Sequence, residues 1–332
     1  MRKVVWGVLS TAKIGTKKVI PGMLKSPLLE VRAIASRSAA SARQAASELG
    51  IPVAHGSYEA LLADPEIEAI YNPLPNDLHV RWTLEAARAG KHVLCEKPVA
   101  LTAAEARGLE AAEGKVRIME AFMVRFHPQW LRARELVRQG ALGPLRAIQV
   151  YFSYSNEDAG NIRNQADRGG GALYDIGCYA VVTGRFFFEG EPRRAMALVD
   201  RDPRFRTDRT ATALVDFGEG RQLGFTVCTQ CVPYQRIQLC GTRARLEIVI
   251  PFNAPQGEAT RILVDDGSAL DGRGIRTETI PECDFYQLEA EAFSRAIRGE
   301  LRLPYGVADA VSNMRVLDAL FRSEKSGRWE EP

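Results

Sequence analysis

The 332-residue sequence has only four histidines. His55, His92 and His127 stand at no spacing that would gather a zinc ion, which speaks against a zinc-dependent alcohol dehydrogenase and against a metal site generally. Cysteine is sparse and scattered: Cys95, Cys178, Cys228, Cys231, Cys240 and Cys283. Only Cys228 and Cys231 form a CxxC, inside the strand-like run LGFTVCTQCVPY. With no second CxxC and no thioredoxin-like helix start, the pair reads as two small residues in a sheet. No apolar run approaches the roughly 18 residues that span a bilayer. The opening MRKVVWGVLS has neither the apolar core nor the cleavage site of an export signal, so a cytoplasmic protein with reduced thiols and no membrane contact is expected. No long basic block occurs, Lys and Arg alternate with Asp and Glu, and the formal net charge is +3, so nucleic acid is not an expected partner. Fixed-period repeats and low-complexity linkers are also missing.

What is present is a chain of ordinary globular composition, 46% hydrophobic and 26% charged, long enough for two domains. Its first part alternates short apolar runs with helical stretches. Strands are predicted at 3–9, 29–36, 52–54, 69–72 and 92–96, with helices at 11–25, 41–49, 58–63 and 79–89, the last stopped by Gly90. Strands separated by helices imply crossover connections, hence an α/β fold with a doubly wound parallel sheet of Rossmann type over residues 1–122. From Leu145 onward the pattern changes. RAIQVYFSYS, RRAMALVDR, TATALVDF, QLGFTVCTQC, RIQLCG, RLEIVI and RILVDD are strand-like runs that follow one another across Gly, Pro and Asp turns. They predict an α+β domain over 123–332, built on a large, mostly antiparallel sheet with an open face and a helix starting near Gly171. A late helix is expected to be capped by Asp284, with Phe285, Leu288, Ala292, Phe293 and Ile297 as its apolar stripe.

Two stretches point to a dinucleotide. The turn after the first strand reads Gly7-Val8-Leu9-Ser10-Thr11-Ala12-Lys13-Ile14-Gly15. Gly7 and Ala12 fit the first and third positions of a G-x-G-x-x-G/A fingerprint, while Leu9 replaces the second glycine. At a helix start, backbone N–H groups can bind pyrophosphate, and Ser10 and Thr11 add hydroxyls. An ordinary strand-to-helix turn is the plain alternative. The second strand ends in Ser36-Arg37-Ser38, where an NAD site commonly carries a carboxylate for the ribose hydroxyls. A guanidinium and two hydroxyls suit a 2′-phosphate instead, favouring NADP with NAD the lesser option. A solvated Arg37, with Ser38 capping the next helix, is the competing reading.

Two further motifs are Tyr71-Asn72-Pro73-Leu74-Pro75-Asn76-Asp77-Leu78-His79, followed by Cys95-Glu96-Lys97-Pro98, and Arg168-Gly169-Gly170-Gly171-Ala172-Leu173-Tyr174-Asp175-Ile176-Gly177-Cys178-Tyr179. Together with WGVLSTAKIG and the link Glu120-Ala121-Phe122-Met123-Val124-Arg125-Phe126, they resemble the Gfo/Idh/MocA oxidoreductase family. The likeness is to the branch that holds glucose–fructose oxidoreductase, dimeric dihydrodiol dehydrogenase and NADP-dependent xylose dehydrogenase. It implies a soluble NADP-dependent enzyme that exchanges a hydride with a carbinol or carbonyl carbon of a sugar-like substrate, and a homodimer formed through the open sheet face.

The resemblance further implies Lys97 and Tyr179 as the proton-handling pair, with Asp175 beside them. It places Pro73, Leu74, Asn76, His79, Glu96 and Arg125, with Gly7, Lys13 and Ile14 of the first turn, along the cofactor. Asn161 and Arg163 are read as reaching the substrate with Asp175 and Tyr179. The chemistry is consistent: an ammonium group near a phenol favours phenolate and stabilises an alkoxide. Which of the two moves the proton, which sugar is bound and the physiological direction are open at this level. A trans-dihydrodiol dehydrogenase, or a non-catalytic cofactor- or sugar-sensing regulator of the same fold, are the other readings.

Overall fold

The computed structural model describes residues 2–332 and divides into two compact units, residues 2–123 with 284–311, and 124–283 with 312–332. The first unit holds six parallel strands: β1 (Val4–Leu9), β2 (Leu29–Ala35), β3 (Val53–His55), β4 (Ala69–Asn72), β5 (His92–Glu96) and β6 (Ile118–Ala121), in the order β3-β2-β1-β4-β5-β6. The reversal of direction at β1 and β4 is the switch point of a doubly wound sheet, where ligands bind outside the carboxyl ends of the strands. Both Ser10 and Pro73 follow such ends. Local signals set the helices: Ser38 and Ser57 accept backbone N–H groups at the starts of Ala39–Leu49 and Tyr58–Leu62. The short β6, read from sequence only as a linking motif, has too few residues to display a period.

Residues 284–311 were expected in the second domain but pack with the first unit, so a contiguous division at 122 and 123 does not describe that unit in full. Asp284 caps Phe285–Ile297 as expected, accepting the N–H groups of Tyr286 and Gln287, and it also accepts from Lys25 Nζ at 2.8 Å. The buried face of this helix is formed by Phe285, Tyr286, Glu289, Ala290, Phe293, Ser294 and Ala296. Leu288, Ala292 and Ile297, read as part of the stripe, are only half-buried. The helix docks by laying Phe293 against the fully buried Trp6, ring centroids 5.7 Å apart, while Ser294 Oγ accepts the indole N–H at 3.2 Å. Burial of one such aromatic side chain contributes about 3 kcal/mol.

The second unit is built on eight strands: β7 (Leu145–Ser155), β8 (Arg194–Arg201), β9 (Asp208–Gly218), β10 (Arg221–Cys228), β11 (Gln230–Gly241), β12 (Arg245–Ile248), β13 (Thr260–Asp265) and β14 (Ile275–Ile280). Their order is β14-β13-β12-β11-β7-β10-β9-β8; β7 and β10 run parallel and all other pairs are antiparallel. QLGFTVCTQC, read as one strand, is broken at Thr229, where β10 gives way to β11. The edge strand β14 is polar and largely exposed, which hid it from a hydrophobicity reading. Helices Pro128–Arg138 and Cys178–Phe188 supply a core in which Trp130 stacks on Phe187 at 5.4 Å. Outward-facing Leu198, Leu214, Val232 and Tyr234 stay exposed, Leu198 at 79%.

Among the described residues no helix is long and apolar enough to cross a membrane, and no group of three or more His, Cys, Asp or Glu could hold a metal ion.

Candidate active site

In the first unit the fingerprint turn is made differently from the sequence expectation. Gly7 lies within β1, and an added Cβ would stand 2.8 Å from Leu61 Cδ2, so its lack of a side chain serves helix packing. Leu9 is fully buried. Ser10 takes the left-handed conformation, φ +70°, that a glycine usually supplies, and its Oγ accepts from Ala12 N at 3.3 Å. The helix opens at Lys13, so Thr11, Ala12, Lys13 and Ile14 bring their backbone to its start, an arrangement suited to pyrophosphate. Its next turn, Gly15–Val19, is π-helical, a feature frequent at functional sites. At Gly15 an added Cβ would meet Tyr71 Cε1 at 3.5 Å and Pro73 Cγ at 3.6 Å, so the helix packs closely on the strand that leads to the Pro73 loop.

At the end of β2, Arg37 and Ser38 are exposed and Ser36 half-exposed. Ser38 Oγ accepts from Ser41 N at 3.3 Å as a helix cap, yet its hydroxyl proton can still be donated to an anion. The Tyr58 side chain, which the sequence did not single out, is bonded to Arg37; burial raises the phenol's pKa while Arg37 lowers it. These groups fit a phosphorylated ribose: all are donors, and none of the three β2-end residues is acidic.

The Glu96-Lys97-Pro98 loop is fastened from several sides. Tyr71 OH donates to Glu96 Oε1 at 2.7 Å, and Lys97 N to Glu96 Oε2 at 3.3 Å. Glu120 Oε1 accepts Val99 N at 2.8 Å. His79, expected along the cofactor, has its ring in the interior between two loops. The residue is 1% exposed, its Nδ1 lies 2.7 Å from Pro98 O and its Nε2 2.6 Å from Leu74 O, so the ring ties two loops together. Burial pushes its pKa down to about 4 against the pull of those carbonyls. Leu74 is itself buried, and its N–H donates to Asn72 Oδ1. Asn76 opens a short 3-10 turn and is half-exposed, as Glu96 and Lys97 are. The outcome is a lysine on a loop whose backbone has little freedom.

In the second unit, Arg163 and Asp175 come together: Arg163 Nε donates to Asp175 Oδ2 at 2.9 Å. Tyr154 OH, which sequence reasoning missed, donates to the same oxygen at 2.6 Å, and burial followed by the Asp175 charge drives its pKa up. Asn161 accepts Arg163 N at 3.1 Å and so shapes the loop. Asn164 holds that loop by donating to the carbonyls of Asn156 and Asp158. Asp175 sits in a second π-helical turn, Leu173–Gly177, which runs into the helix that starts at Cys178 and carries Tyr179. Tyr179 is 5% exposed, its ring beside Phe252 at 5.5 Å and Phe152 at 6.1 Å. Arg125 is buried, at 3%.

Comparison with known proteins completes the description. A family model described as oxidoreductase family, NAD-binding Rossmann fold, matches residues 4–122, and one for the GFO/IDH/MocA C-terminal domain matches residues 130–247. An uncharacterised oxidoreductase of Rhizobium meliloti is 45% identical over 99% of both chains. An NADP(+)-dependent D-xylose 1-dehydrogenase of Haloferax volcanii is 40% identical over 97% of this chain and 98% of its own. Among solved structures, a 3-ketoreductase from Actinomadura kijaniata, in complex with NADP and TDP-benzene, matches with a TM-score of 0.90 at 27% identity over 97% of this chain and 98% of its own.

Proposed function

The chain belongs to the GFO/IDH/MocA family of NAD(P)-dependent oxidoreductases, and on that footing we propose that it is an NADP-dependent dehydrogenase of sugars or sugar-like polyols. The observation that carries the substrate class is the Asp175 carboxylate, gripped by Arg163 and Tyr154 and four residues before Tyr179. A fixed acceptor of this kind suits a polyhydroxylated ligand. The xylose dehydrogenase relative, acting on an aldose by its name, supports the same class.

The bound nicotinamide supplies the hydride acceptor. The chain's residues manage the proton and the charge. Lys97, held on its fastened loop, stabilises the alkoxide that develops as the substrate hydroxyl is deprotonated. Tyr179 offers a phenol to take part in moving that proton. Asp175 orients a neighbouring hydroxyl, and Asn161 and Arg163 border it. The test is an NADP⁺ reduction screen over pentoses, hexoses, inositols, sugar nucleotides and trans-diols. Turnover with an aldose supports this reading; turnover with trans-diols alone would make the enzyme a dihydrodiol dehydrogenase, and binding without turnover would make it a sensor.

NADP is favoured over NAD by Ser36-Arg37-Ser38, with Tyr58 steadying the guanidinium. Replacing Arg37 by Asp removes a charge-assisted contact and adds repulsion, so NADP affinity should fall about 100-fold and NAD affinity far less. Fluorescence titration with both nucleotides reads this directly, and equal losses would refute it. The exposed Leu198, Leu214, Val232 and Tyr234 on the open sheet support a homodimer across that face. Light scattering at micromolar concentration should return twice the 36.6 kDa chain mass, and a monomer would end that reading. A cytoplasmic enzyme acting on small molecules is the setting we assign, in keeping with six cysteines that form no disulfide among the described residues.

A further inference from the structure

The triple-glycine turn that leads to Asp175 is built around a carboxylate from elsewhere in the chain. Asp208, the first residue of β9, is 1% exposed, and its Oδ2 accepts Leu173 N–H at 2.6 Å. Gly171 has φ +118°, and a Cβ added to it would lie 1.9 Å from Asp208 Oδ1 and 2.7 Å from Asp208 Cγ. The carboxylate therefore occupies the space of the missing side chain. Any other residue at 171 would displace it and would be strained by the backbone angle. A third constraint meets them: Gly171 N donates to Arg163 O at 2.9 Å, and Asp175 N donates back to Gly171 O at 3.1 Å. At Gly170 a Cβ would stand 2.5 Å from Arg163 O, so the loop that grips Asp175 also packs on this turn.

We propose that Asp208 is a positioning residue of the substrate end: from beneath the glycine turn its carboxylate fixes the start of the segment that runs from Asp175 to Tyr179. This rests on the reading of those two residues as facing the substrate. The leading N–H groups of such a segment lack partners within it, and an anion at that end is favoured by the local dipole. Asp208 meets this need with a charged acceptor, the stronger kind of hydrogen bond.

The charged and titratable groups around Asp208 come from every neighbouring element. Arg201 is its cross-strand partner on β8, with its guanidinium forked onto Glu324 of the helix Val307–Ser326 through contacts of 2.5 and 2.7 Å. Tyr154 approaches from β7, and Tyr174 lies on the segment itself, near Arg201. Burial is the largest influence and pushes the Asp208 carboxyl up to about 7, against the lowering effects of Leu173 N–H, its own N–H and Arg201; Glu324 raises it. Above that pH the group is charged and holds Leu173 firmly; below it, protonation weakens the hold. Substrate capture should therefore decline as the pH falls through 7.

Asp208→Asn keeps the size and one acceptor oxygen but carries no charge at any pH. With the aldose that the screen identifies, the variant should raise the sugar KM about tenfold while leaving the NADP KM unchanged, and the decline near pH 7 should vanish from its kcat/KM profile. Amide hydrogen exchange provides an independent reading. Once intrinsic rates are removed, the amides of Leu173 to Ile176 should be better protected at pH 8 than at pH 6 in the parent protein, and equally poorly protected at both in the variant. Exchange in the variant equal to the parent's at pH 8, or a pH step that survives the substitution, would overturn the proposal. If the parent turns over no sugar, the substrate reading fails, while the exchange experiment still decides whether Asp208 anchors the turn.

Discussion

Lys97→Met is expected to lower kcat/KM for sugar-dependent NADP⁺ reduction by about a thousand-fold. Methionine retains an unbranched stem of similar length but removes the ammonium group, so the loss falls on alkoxide stabilisation and proton handling. Several ties that hold the loop run through other groups: Pro98 O meets His79, Val99 N meets Glu120, and Glu96 meets Tyr71 and Lys97 N. The thermal unfolding midpoint should therefore stay within about 2 °C of the parent. Cofactor binding measured without sugar should change little. A loss under tenfold would mean that the ammonium group does not act at the reacting oxygen.

Tyr179→Phe should cost about a hundred- to a thousand-fold in kcat with a smaller change in sugar KM. The substitution removes one hydroxyl and preserves the ring that packs beside Phe252 and Phe152, so the loss falls on the hydroxyl alone. The pair is best tested together. Groups that act as one unit show strongly non-additive effects. The double variant should be hardly slower than the slower single one if both groups serve the same proton transfer. Full multiplication of the two losses would show that they serve separate steps.

The first unit was legible from its sequence because its central strands are buried on both faces. AIYN and HVLCE stand out as apolar runs, and their boundaries, 69–72 and 92–96, are those observed. Lys97 and Tyr179 could be singled out because they sit in dense local motifs. The groups that support them could not. Asp208 meets Leu173 from 35 residues away, Tyr154 reaches Asp175 from a neighbouring strand, and Arg37 finds Tyr58 only after a helix and a strand have intervened. Nothing in a linear pattern encodes such meetings. Where a rule was applied too literally, the backbone found another solution. Ser10 adopts a left-handed angle more usual for glycine, and His79, polar and in a motif, sets its ring between two carbonyls. The late helix misled for a related reason: its capping signal was clear, but a cap does not say which core the helix will join.

That late helix carries a consequence for how the protein comes into being. Trp6 is made long before its covering partners Phe293 and Ser294, which emerge only after every strand of the eight-stranded sheet has been synthesised. The nascent first unit therefore lacks that cover while some 160 intervening residues are made. A fragment ending at residue 123 would never receive that cover, and the unit that is begun first is finished only after most of the other has been made.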